Sequence, residues 1–110
     1  MSHCLFCKIA DGDIPAKKVY EDEDFVAFHD IHPKAPVHLL VIPRHHVASL
    51  ADAEEQDVGL LGLLMDCVRR VAAQEKLDAG YRVVINVREG GGQEVFHLHV
   101  HILGGKKLPF

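Results

Sequence analysis

The sequence is short of positive charge. Its 110 residues carry a formal net charge of -4, so it lacks the basic footprint that holds duplex nucleic acid, and no nucleic-acid partner is expected. A small nucleotide is not excluded, because backbone N–H groups can hold its phosphates without a field of lysines. Long apolar runs are also missing. None approaches the roughly 20 residues needed to span a bilayer, so no membrane partner is expected. The opening segment, MSHCLFCKIADGD, has neither a basic n-region nor a long h-region, so a secretory leader is not expected and a cytoplasmic location is. Cysteine is scarce: Cys4, Cys7 and Cys67. An odd count in a reducing compartment argues against a disulfide framework, which leaves the Cys4–Cys7 spacing as a metal or redox question. There are no repeats, low-complexity tracts or linkers. Apolar content of 48% and charged content of 25% are ordinary. One domain over 1–110 is expected, since such a chain builds one core rather than two.

What is present reads as short strands around one long helix. FCKIADGDIP suggests a short helix ended by Gly12 and Pro15. KKVYED and DFVAFHD are strand-like, separated by the turn-prone Glu21-Asp22-Glu23-Asp24. Pro33 and Pro36 make DIHPKAPVH a loop. HLLVIP is a buried strand that Pro43 stops. Asp52-Ala53-Glu54-Glu55 has the form of a capping box, which places the start of the long helix near Asp52. Val58, Leu61, Leu64, Met65, Val68, Val71 and Ala72 then form an apolar stripe up to Gly80, with Cys67 beside it as an inert core residue. YRVVINV and EVFHLHVHIL are strands joined by the flexible REGGGQ. About five strands in closely connected pairs, with the helix on one face, make an antiparallel α+β fold.

The last strand poses the chemical question. In HLHVHIL, residues 97 to 103, His97, His99 and His101 share one face, and Leu98, Val100 and Ile102 share the other. Three readings are open: a solvated polar face, a three-histidine metal site, and catalysis. Alternate residues over four rises span about 13 Å, too far for three rings to meet one ion easily. Catalysis has local support from Gly90-Gly91-Gly92-Gln93. A glycine run lets backbone N–H groups approach an anion, and Gln93 adds an amide donor. An imidazole with a pKa of about 6.5 is largely neutral at pH 7 and can attack phosphorus. The phosphoramidate formed is then cleaved by water, which splits one hard substitution into two easier ones. The central His99 is the natural nucleophile, and a flanking imidazolium can neutralise charge or protonate a leaving group.

The motif His-φ-His-φ-His-φ-φ, with φ apolar, resembles the signature of the histidine-triad (HIT) hydrolases. IPAKKVYEDEDFVAFHDIHPKAPVHLLVIPRHH and GYRVVINVREGGGQEVFHLHVHILGG resemble its Hint branch, the purine nucleoside phosphoramidases, over nearly the whole chain from Phe6 to Gly105. The resemblance implies a homodimer whose five-stranded sheets join into one. It also implies hydrolysis of the P–N bond in purine nucleoside 5'-phosphoramidates, and hydrolysis of aminoacyl-adenylates, through a nucleotidyl-histidine, with no cofactor for catalysis. His99 matches the nucleophile, and His101 the histidine at the phosphate and leaving group. His38 matches a fourth supporting histidine, and His97 the residue that orients the nucleophile through its carbonyl. Asn86, Gly92, Gln93 and Val95 match phosphate-side contacts, and Asp30 matches the ribose carboxylate. Phe6, Ile9, Ile14, Phe28, His29, Ile31 and Leu40 match the purine pocket. Plain core packing is the competing reading of the apolar members. Glu94 stands where some relatives carry Ser, and a carboxylate there can bind a cationic leaving amine. The tail, GGKKLPF, is shorter than in relatives where it crosses the dimer. Hydrolysis of dinucleoside polyphosphates and a nucleotide-binding scaffold are the alternatives.

A zinc site needs two ligands beyond Cys4 and Cys7. Resemblance to a prokaryotic subset of the family implies His46 and His97. The zinc would be structural, because four protein ligands leave no open position. His97 would then serve twice, with its ring on the metal and its carbonyl on His99.

Overall fold

The computed structural model describes residues 4–110. Met1, Ser2 and His3, at the head of the segment read above as lacking a leader, lie outside the described residues. In chain order the elements are α1 (Leu5–Ala10), β1 (Lys18–Glu21), β2 (Phe25–His29), β3 (Val37–Pro43), α2 (Val58–Gln74), β4 (Tyr81–Val84) and β5 (Val100–Gly104). The strands form one antiparallel sheet in the order β1-β2-β3-β5-β4. The α+β expectation, with one long and one short helix, holds. Among the described residues no helix is long and apolar enough to cross a membrane.

Alternation along the central strands decides the layering. Phe25 and Ala27, Leu39 and Val41, and Val100 and Ile102 face one way, while Val26, Phe28, Leu40 and Ile42 face the other. Successive strand side chains point to opposite faces. Both sets are buried, so the sheet needs a cover on each side. Helix α2 covers the first face with Leu64, Cys67, Val68, Val71 and Ala72. Helix α1 covers the second with Phe6, Ile9 and Ala10. The long helix covers one face, as expected, and the short helix covers the other. Each fully buried Leu or Ile in these layers contributes about 1.5–3 kcal/mol.

The long helix starts later than its sequence suggests. Asp52 does not cap it. Its carboxylate accepts from Ser49 Oγ at 2.6 Å and from Arg88 at 2.8 Å. The capping box is formed instead by Glu54 and Asp57, on the 3₁₀ turn that leads into Val58. The stripe is also narrower. At about 100° per residue, Val58 and Met65 fall to the edge of the arc that Leu64, Val68 and Val71 define, and they are 61% and 41% exposed.

The final strand is shorter than expected as well. β5 begins at Val100, so His97 and His99 precede the ladder. Leu98 N–H is drawn instead to Val47 O at 2.7 Å. The two-faced alternation still survives, because Leu98 joins the α2-side core. β4 forms the exposed edge, with Tyr81 and Val83 open to solvent.

Candidate active site and metal cluster

All three triad histidines lie on the α1 face of the sheet, and their hydrogen bonds fix their tautomers. A carbonyl oxygen only accepts, so a ring nitrogen bonded to one carries the proton. His97 Nε2–H therefore donates to Pro43 O at 2.7 Å, which leaves Nδ1 as a lone pair. His99 Nδ1–H donates to His97 O at 2.7 Å, which leaves Nε2 as a lone pair. His38 Nδ1 accepts from Lys34 N–H at 3.0 Å, so its Nε2–H donates to His101 Nδ1 at 2.9 Å. His101 then carries its own proton on Nε2. The β3–β5 register makes this last pair possible: Leu40 lies opposite His101 and His38 opposite Leu103, so the two rings sit diagonally on one face. Asp30 Oδ2 lies 3.4 Å from His38 Nε2.

Burial sets the electrostatics. It pushes His101 down to about 4, helped by the neighbouring His99 and His38. It also lowers His99 and His38, against the bond to His97 O in the first and the Asp30 charge in the second. The free site thus holds neutral imidazoles, and the central one presents an unprotonated Nε2. Phe6 packs edge-on against both His99, with centroids 5.1 Å apart, and Phe28, at 5.5 Å.

The other expected contacts divide into three groups. Phe6, Ile9, Ile14, Phe28, Leu40 and Val95 come together in one apolar cluster beside the triad. Asp30 is half-buried, His29 is exposed, and Ile31 is 85% exposed with no packing of its own. Asn86 donates to Gly91 O at 2.9 Å, and Gly92 takes φ +88 against the Asn86 side chain. Two readings of the glycine loop are corrected. The N–H groups of Gly91, Gly92 and Gln93 bond to Glu89 or Arg88 carbonyls within the loop, so they are not anion donors. Gln93 is buried, and its amide donates to Ala48 O at 2.7 Å and Val95 O at 3.0 Å, so it is no phosphate donor either. Among the described residues, the Glu94 and Val95 amides donate no bond within the chain. No residue pattern signals the part played by Ala48 and Val47, whose backbone carbonyls hold Gln93 and Leu98. A solvent-open concavity of about 650 Å³ lies elsewhere, between Lys76, Tyr81, Arg82 and Lys106, and no histidine lines it.

The second cluster sits at the other end of the His97 ring. Cys4 Sγ, Cys7 Sγ and His46 Nδ1 lie 3.3, 3.5 and 3.2 Å from His97 Nδ1, and Cys7 Sγ lies 3.5 Å from His46 Nδ1. One lone pair cannot accept from three groups, so hydrogen bonding does not account for the arrangement. A tetrahedral ion with zinc's bond lengths separates its nitrogen ligands by about 3.3 Å and its sulfur–nitrogen pairs by about 3.5 Å. The donor set fits zinc, with Cys4, Cys7, His46 and His97 as the four ligands. Without an ion, burial and the neighbouring Cys4 push the Cys7 thiol up to about 11, and burial lowers His97 to about 4 and His46 less far. Metal binding at this site therefore releases thiol protons. Cys67 is buried on the sheet-facing side of α2, and its thiol is pushed up by burial to about 11, as an unreactive core residue should be.

This sheet, with an alternating histidine triad beside a Cys/His cluster, defines a class, and comparison with known proteins gives the family. The HIT domain model matches residues 11–108. The chain belongs to the HIT family. It is 52% identical over 104 residues to Protein HitA of Neisseria gonorrhoeae, covering 94% of this chain and 97% of that protein. It is 48% identical over 109 residues to the 14 kDa zinc-binding protein of Zea mays, covering 97% and 85%. A HIT family hydrolase from Legionella pneumophila superposes with a TM-score of 0.95 at 49% identity, covering 98% of this chain and 97% of that one. A histidine triad protein from Clostridium difficile does so at 0.96 and 45%, covering 100% and 96%.

Proposed function

We propose that the protein is a hydrolase of the Hint type. It cleaves the P–N bond of purine nucleoside 5'-phosphoramidates and the anhydride P–O bond of aminoacyl-adenylates, releasing an amine from the first and an amino-acid carboxylate from the second. The observation that carries this is the His99 Nδ1–H bond to His97 O, which leaves Nε2 as a buried, unprotonated nucleophile. His99 Nε2 attacks phosphorus, the P–N bond breaks, and the amine leaves. Water then cleaves the nucleotidyl-histidine and releases the nucleoside monophosphate. His101 presents its Nε2–H to the phosphate or the departing nitrogen, in a tautomer that His38 fixes. The Glu94 and Val95 amides serve as phosphate donors. Phe6, Ile9, Phe28 and Leu40 offer an apolar wall for the purine, and Asp30 an acceptor for the ribose hydroxyls.

Zinc in the Cys4, Cys7, His46 and His97 cluster is structural in this reading. It supplies a crosslink between α1 and the segment before β5, and no step of the reaction runs through it. A relative is named as a zinc-binding protein, which supports the assignment. The exposed β4 edge, with Tyr81 and Val83 open, supports a homodimer in which two sheets join. A cytoplasmic location goes with this reading.

The test is hydrolysis of adenosine 5'-phosphoramidate by wild type and His99→Asn, with the fold of both checked. Turnover is expected to fall by at least about a thousandfold in the variant. Wild type that turns over dinucleoside polyphosphates instead would move the assignment to that branch. AMP binding without turnover of either would make the protein a nucleotide-binding module.

A further inference from the structure

Gln93 ties the glycine loop to its surroundings through three side-chain hydrogen bonds. It is 4% exposed, and each polar atom of its carboxamide is engaged. Oε1 accepts from Arg88 N–H at 2.7 Å, and Nε2 donates to Ala48 O at 2.7 Å and Val95 O at 3.0 Å. Its own N–H returns to Arg88 O at 3.0 Å. Arg88 sits at φ 58, ψ 177, a region that side chains avoid and that persists only where the surroundings over-determine it. The bonds at both ends of Arg88 do so here, and its guanidinium adds a 2.8 Å contact to Asp52. Immediately beyond Gln93 lie the Glu94 and Val95 amides, unpaired within the described residues. Val95 O is held by Gln93, and Val95 packs in the apolar cluster that contains Phe6, the ring against His99.

We infer that Gln93 is a positioning residue. Its buried carboxamide holds the strained Arg88 turn and the Val95 peptide so that the Glu94 and Val95 amides are preset to receive the phosphate of a nucleoside monophosphate. Gln93 itself never touches that phosphate. The inference rests on the nucleotide reading above and gives it a mechanism for anion affinity in an acidic chain. Preset donors bind a phosphate without the ordering cost that a flexible glycine loop would incur.

The ratio of AMP affinity to adenosine affinity isolates the phosphate contribution, so the test compares it in wild type and Gln93→Met. The substitution is neutral, and adenosine is the control for the pocket and for folding. The expected result is a loss of about tenfold in the ratio, the scale of one hydrogen bond to a charged group, with adenosine affinity held within about twofold. An unchanged ratio, or equal losses for both ligands, would overturn the positioning role. Two wild-type measurements stand even if the variant does not fold. The Arg88 amide should exchange with solvent slowly, and the Glu94 and Val95 amide resonances should move with AMP and not with adenosine. Fast Arg88 exchange, or still resonances, overturns the inference while leaving nucleotide binding in place. Wild type that binds neither ligand overturns the nucleotide reading, and the positioning role with it.

Discussion

At His97 Nδ1, three polar atoms converge on one lone pair. At His101 Nδ1, one donor meets one acceptor. The two groups share a sheet face and differ in what completes them. The first, Cys4, Cys7, His46 and His97, has ligand spacings that a cation reconciles. The second runs from Lys34 N–H through His38 to His101 and is complete as a chain of hydrogen bonds, although Asp30, His38 and His101 also lie close enough to hold an ion. Proximity of ligand-type side chains is therefore a poor guide by itself. Counting protons and lone pairs separates a metal cluster from a relay. His97 bridges toward the second, with its ring in the first and its carbonyl on His99, whose ring packs against His101 with centroids 5.1 Å apart.

The widest test of this division is His97→Ala, which strikes both sides at once. It should abolish turnover, empty the metal cluster and cost about 3 kcal/mol or more in unfolding free energy, because a fully buried ring is deleted and Pro43 O loses its donor. A variant that keeps its metal would show that His97 is not a ligand. Cys7→Ser should be narrower. Zinc measured by elemental analysis should fall below about a tenth per chain, and stability by roughly 3 kcal/mol, as expected when a tightly bound ligand is lost. His99→Asn should leave both unchanged. If His99→Asn also lost zinc, the two sides would not be separable.

Part of the pH response belongs to the relay. Unfolded histidines take up protons near pH 6.5, whereas folded His101 holds off to about 4. In that window the unfolded chain binds more protons. The contribution of this group is therefore complete above about pH 6.5 and is lost progressively as the pH falls toward 4. Denaturation midpoints should fall on acidification, and His101→Gln should flatten that slope. Parallel slopes in the two proteins would refute the assignment. Asp30→Asn should have the smallest effect. The KM of a nucleotide substrate should rise by about tenfold, with kcat within about twofold and zinc unchanged.

Much of this was legible in sequence, and the reasons are local. Short apolar runs bounded by turn residues and Pro43 marked β2 and β3, and Cys-x-x-Cys posed the metal question, with His46 and His97 supplied by the family resemblance. The readings that failed were those in which a backbone group chose its partner. Asp52 resembles a cap but is claimed by Ser49 and Arg88. Gly91, Gly92 and Gln93 resemble an anion nest, but their amides close on Glu89 and Arg88. EVFHLHVHIL reads as one strand, yet Val47 O takes the Leu98 N–H before the ladder begins. No residue pattern at Val47 or Ala48 advertises a carbonyl that a distant segment needs.

That stretch, Pro43 to Ala48, works as a ruler. Pro43 O holds the His97 ring, the His46 ring joins the metal cluster, Val47 O holds Leu98 and Ala48 O holds Gln93. Three of the four contacts are made by main-chain carbonyls, which no side-chain type specifies, while the Val47 side chain packs separately into the α2-side core. Adding or removing one residue would shift every mark on the ruler at once. This part of the chain is fixed in length and held in its letters at the His46 ring and the buried Val47, and the role of its carbonyls would show in where related sequences refuse a gap.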